Sequence, residues 1–141
     1  MERGLTRAEL RAIAEAKLED AHLLLEAGRH ANAYYLCGYA VEIGLKACIA
    51  AQIAPETLPG KDFVKGILNH QFAGLAALAG LGAALRAAED ADRVFAVNWA
   101  TALDWSPDSR YRMTDPQAAE ALFVAVTDPS SGVMRWIKAH W

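Results

Sequence analysis

A chain of 141 residues with 14 basic and 17 acidic side chains has the size of one domain and enough material for a core. Its formal charge of -3 argues against tight, non-specific nucleic-acid binding by the whole surface, though a small local basic site remains compatible with it. The 54% hydrophobic fraction is rich in alanine, which suits closely packed helices better than a sheet.

Helix 1 has a defined start, because Thr6 precedes Glu9 by the spacing of a capping box. Leu10, Ile13, Ala14, Leu18, Ala21, Leu24 and Leu25 follow at helical spacing, and Gly28 supplies a stop. A second helix is expected from His30 or Ala31 to about Ile53, closed by Pro55 and Pro59. Residues 54–69 read as a loop, and a short third helix is expected over about 70–80. A fourth is expected over about 83–104, broken by Ser106-Pro107-Asp108. Asp115-Pro116 is an N-cap followed by proline in the first turn, which predicts a fifth helix to about Val126. A terminal helical piece over 133–140 follows the break at Asp128-Pro129.

The sum is a single all-α domain over 1–141, an up-and-down bundle of four to five helices. No uncharged apolar run of about 18 residues reads as a membrane span. The opening MERGLTRAEL lacks an apolar signal core, so a cytoplasmic protein is expected. Cys37 and Cys48, eleven residues apart on one helix, cannot reach each other and read as small buried apolar side chains.

The second helix carries the most information. On it Ala33, Cys37, Ala40, Gly44 and Ala47 share one direction, a stripe of small side chains suited to close helix contact. Tyr35, Tyr39, Glu42 and Lys46 form a second stripe on roughly the opposite side. Glu42 precedes Lys46 by four residues, the favourable order for a helical ion pair. Exposed, such a pair contributes a few tenths of a kcal/mol. Covered, it needs further hydrogen-bond partners, and Tyr35, Tyr39 or Arg110 can supply them. A buried or interface-lining network is the expectation.

The run LLLEAGRHANAYYLCGYAVEIGLKACIA resembles the first two helices of HEPN-domain proteins. The resemblance extends through NHQFAGLAAL, NWATALDWSPDSRYRM and GVMRWIKAHW, roughly residues 8–140. It implies a helical bundle that forms a homodimer and works beside a nucleotidyltransferase-like protein in toxin–antitoxin-like pairs. Some members of that family are metal-independent endoribonucleases using an Arg-x4-6-His motif. Others lack it and have proposed nucleotide or protein binding.

Arg135-Trp-Ile-Lys-Ala-His140 is one Arg-x4-His match. Histidine can accept a proton from an RNA 2′-hydroxyl and arginine can steady charge on phosphorus, with no metal. Against that, Trp136 stands where the active family has a small polar residue, and the tyrosine that toxin versions carry two residues after the histidine is missing. Residues five apart on an ideal helix also diverge by about 140°.

Arg29 and His30 at the first turn, and His70 before the third helix, are candidates for anion binding or for capping and packing. The four histidines and two cysteines show no metal-ligand spacing, so neither a metal nor a cofactor is expected. Glu89, Asp90 and Asp92 read as a solvated patch. The expectation is a non-catalytic nucleotide-, RNA- or partner-binding subunit. The alternatives are a ribonuclease toxin acting through Arg135 and His140, and an interaction module without a small ligand.

Overall fold

The computed structural model describes residues 3–141. Among them the chain forms eight α-helices and one 3-10 helix, with no strand. They are α1 (Arg7–Glu26), α2 (His30–Ala50), α3 (Lys61–Ile67), α4 (Phe72–Leu78), α5 (Gly82–Ala91), α6 (Arg93–Leu103), the 3-10 helix (Pro107–Tyr111), α7 (Pro116–Thr127) and α8 (Val133–Lys138). The all-helical bundle matches the sequence expectation, but it is divided into more pieces than four or five.

Helix α1 starts where the capping box puts it. The Thr6 side chain accepts from the Glu9 amide at 3.2 Å, and Glu9 accepts from the Thr6 amide at 2.8 Å. At the other end Gly28 turns the chain with φ of +75°, which costs glycine nothing. Helix α2 then runs back along α1, which places Ala14 and Ala21 against it without solvent exposure.

Helix α2 is the axis of the bundle, touching α1, α4, α7, α8 and the 3-10 helix. Its small stripe is buried throughout: Ala33, Cys37, Ala40, Gly44 and Ala47 all lie in the interior. At Gly44 an added Cβ would stand 3.0 Å from Ile137 of α8, so the missing side chain sets that close approach. The last turn of α2 stops at Ala50, short of the expected Ile53.

Two expected boundaries are corrected. Residues 54–69 are not all loop, since Lys61–Ile67 forms a helix whose Gly66 seats against Leu78 of α4. The expected helix over 83–104 is two helices, because Asp92 leaves the helical region at φ -142°, ψ 104° and caps α6. Its carboxylate accepts from the Val94 and Phe95 amides at 2.9 and 3.2 Å and from the Ser131 hydroxyl at 2.7 Å. Asp92 is therefore a junction between α6 and the turn before α8, not part of a solvated patch. These contacts hold its carboxyl below the ordinary range, the Ser131 hydroxyl foremost.

Trp105 closes the end of the bundle nearest the candidate site. Its indole stacks on Phe72 at 5.4 Å between centroids and meets Tyr39 edge-on at 6.0 Å. It also lies directly over Gly38, where any Cβ would overlap the ring. No single helix among the described residues is long and apolar enough to cross a membrane.

Candidate functional site

Glu42 sits in the middle of α2 with a side chain only 1% exposed. A buried carboxylate is costly unless its oxygens are satisfied. Lys46, one turn on, donates from Nζ to Oε2 at 3.2 Å. His70, in the segment just before α4, donates from Nδ1 to Oε1 at 2.7 Å. An ionised carboxylate only accepts, so the proton of this contact belongs to the imidazole. Lys46 remains 22% and His70 48% exposed, so both reach water while the anion between them does not.

The outer part of the same stripe carries the tyrosines. Tyr35 and Tyr39 meet edge-on at 5.5 Å, and both also touch Trp105. Lys17 of α1 places its ammonium 5.6 Å from the centre of the Tyr39 ring. Arg110 lays its guanidinium over Tyr111 at 4.7 Å and stands beside Tyr35. The Tyr39 hydroxyl is pushed above its usual range, first by burial and then by the Glu42 charge. A half-buried aromatic pair flanked by Lys17 and Arg110 can hold a planar, anionic group by stacking and charge.

Of the residues singled out from sequence, Tyr35, Tyr39, Glu42 and Lys46 share one face of α2, with Arg110 beside Tyr35. Arg110 does not pair with Glu42; His70 takes that place. The three candidates for anion binding are not joined into one site. Arg29 caps α2 by position without a side-chain hydrogen bond, and His30 opens that helix with Nδ1 buried and unpartnered among the described residues. His70 is committed to Glu42.

Arg135 and His140 take separate partners. Arg135 is exposed and donates to the Ser130 backbone carbonyl, in a cleft it shares with Asp92, Phe95 and Trp136. His140 follows α8 and packs its ring 5.0 Å from Trp136. Among the described residues no hydrogen bond joins the two side chains. Among the described residues no group of three or more His, Cys, Asp or Glu side chains is placed to hold a metal ion.

Lys17 was not singled out from the sequence. Its signal was available, because Ala14, Leu18 and Ala21 mark the face of α1 that meets α2, and Lys17 borders it. Trp105 as the hub of Tyr35, Tyr39 and Phe72 had no sequence signal of its own beyond its place before the Pro107 turn.

Residues 8–58 match the family model of the HEPN domain. The match spans α1, α2 and the start of the following loop, and so includes Tyr35, Tyr39, Glu42 and Lys46. His70, Arg110 and the Arg135–His140 segment lie outside it. No curated protein and no solved structure matches the chain. Over its two longest helices, then, the chain is similar to the HEPN domain, and the all-helical fold is in keeping with that match.

Proposed function

We propose that this protein is a non-catalytic binding subunit whose Tyr35–Tyr39 face holds a nucleotide or a single strand of RNA. The observation that carries this reading is the arrangement of Lys17 and Arg110 beside the two tyrosines of α2. Aromatic side chains stack on any base, and the surrounding cations answer phosphate. The overall charge of -3 argues against non-specific binding by the whole surface, which suits a local site. The proposal includes a cytoplasmic homodimer acting with a nucleotidyltransferase-like partner, in keeping with the family.

The test is fluorescence anisotropy of a labelled single-stranded RNA and of a labelled ATP analogue. Lys17→Gln and Arg110→Gln alter side chains at the protein surface. Each is expected to weaken binding several-fold and to reduce its salt dependence. Binding that neither variant changes would refute this location.

The ribonuclease reading rests on Arg135 and His140 belonging to one terminal segment. Its requirement is that the two side chains converge on one phosphate, within a protomer or across a dimer. In the protomer they have separate partners, which favours the binding reading.

A further inference from the structure

Helix α6 presents two faces of opposite character. Phe95, Trp99 and Ala102 are buried against the bundle. At about 100° per residue, Arg93, Val97, Ala100 and Asp104 fall within about 60° of one another on the other side. All four are exposed, Val97 at 64%, and Val94 at 55% borders them.

The two charges of this stripe stand at the wrong ends of the helix. Arg93 opens α6, where the helix dipole is positive, and Asp104 caps its C-terminus, where it is negative. Among the described residues neither side chain has an ion-pair partner. The neighbouring Asp92 carboxylate is taken by the Val94 and Phe95 amides and the Ser131 hydroxyl. Arg112 and Asp104 both act on the Tyr34 hydroxyl, but they form no ion pair with each other. Each charge therefore opposes its own helix end, with no ion pair in the protomer to offset it.

An antiparallel copy of the same helix offsets both. Arg93 and Asp104 lie equally far from the midpoint between Val97 and Ala100, about 16 Å apart along the axis. A twofold axis through that midpoint sets Arg93 of each copy against Asp104 of the other, and Val97 against Ala100. It also brings the N-terminal end of each α6 to the C-terminal end of the other, so that the dipoles agree. A parallel pair would set like charges together.

We infer that the outer face of α6 is the contact between two copies of this chain, held by two reciprocal Arg93–Asp104 ion pairs around a Val97–Ala100 centre. The inference rests on the homodimer of the proposed function and names the surface that forms it. One helix of 11 residues from each copy makes a small contact, so the dimer is weak, reversible and salt-sensitive.

The experiment is sedimentation equilibrium of the intact protein from micromolar to millimolar concentration. The wild type is expected to dimerise, more weakly as salt is raised. Arg93→Asp and Asp104→Arg each place like charges at both contacts, and each is expected to weaken self-association about tenfold. Both changes suit the helix dipole, so α6 itself is not put at risk. Mixed in equal amounts, the two variants are expected to form a heterodimer at least as tight as the wild-type dimer, a result that misfolding does not give. A monomer at every concentration overturns this inference and the homodimer together. A dimer that neither reversal weakens overturns the face alone. Weakened variants that fail to combine overturn the ion pairing. RNA anisotropy on the same variants reads the tyrosine face independently.

Discussion

Glu42 and His70 are 28 residues apart in sequence and meet at 2.7 Å, so one buried carboxylate ties the middle of α2 to the segment that starts α4. Lys46 completes the pair of donors. Replacing Glu42 by alanine leaves two donors that have lost a common anion. Removing one partner from a buried ionic network costs about 3–5 kcal/mol, and the access of Lys46 and His70 to water places this case near about 3 kcal/mol. Urea denaturation of Glu42→Ala against wild type measures it. A loss below about 1 kcal/mol, the range of exposed pairs, would contradict the buried network.

Gly38 is the second point where α2 and its surroundings are fitted closely. Any Cβ there would overlap the Trp105 indole, whose other contacts with Phe72 and Tyr39 restrict its escape. Gly38→Ala is expected to destabilise by about 1–3 kcal/mol, the usual range for overpacking, despite alanine's better helix propensity. Thermal denaturation should show a lower midpoint, and Trp105→Phe in the same chain should recover part of it. A higher midpoint for the single variant would place Trp105 elsewhere.

Asp92 gives a pH dependence with a definite sign. Its folded carboxyl is held below the ordinary range by the Ser131 hydroxyl and the α6 amides. A depressed carboxyl contributes stability above its unfolded value, near about 3.9, and loses it as pH falls through the lower folded value. Asp92→Asn is therefore expected to lower the denaturation midpoint at pH 7 and to flatten the fall in stability below about pH 4. Unchanged steepness on the acid side would show that the Asp92 contacts do not persist.

The two cysteines provide a check on the core. Burial pushes the Cys37 thiol far up, and raises that of Cys48 to about 11. Thiolate is the reactive form. Neither thiol is expected to react with a disulfide reagent at pH 8 in the native protein, and both are expected to react in denaturant. Fast native labelling of either would mean that α2 is not the bundle axis.

The parts of the fold fixed by local chemistry were readable from the sequence. Thr6 and Glu9 set the start of α1, Gly28 its end, and Asp115-Pro116 the start of α7, because each feature acts within one turn of backbone. The break at Asp92 was missed because an aspartate inside a charged run reads equally well as a solvated helical residue. Only its capping of Val94 and Phe95 and its bond to Ser131 distinguish the two. α3 was missed for the opposite reason: seven residues make too short a periodic pattern, and Gly60 and Gly66 read as loop.

At the candidate site the sequence placed Tyr35, Tyr39, Glu42 and Lys46 on one stripe, since helical spacing dictates that. It did not say which of them was covered. Glu42 meets His70, which lies two residues before Phe72, and Phe72 in turn stacks on Trp105, 33 residues further along the chain. Such a contact has no local signature. Arg110 was placed near this face, but its guanidinium rests on Tyr111 instead of reaching Glu42.

The central claim is that this chain binds RNA or a nucleotide without cleaving it. The most direct measurement is metal-free incubation of the purified protein with a mixed RNA pool, beside His140→Ala, with products and complexes resolved on denaturing and native gels. The account predicts RNA that is retained in complex and recovered intact, identically for both proteins. Cleavage leaving 2′,3′-cyclic phosphate ends, lost in His140→Ala, would contradict it and assign the chemistry to Arg135 and His140.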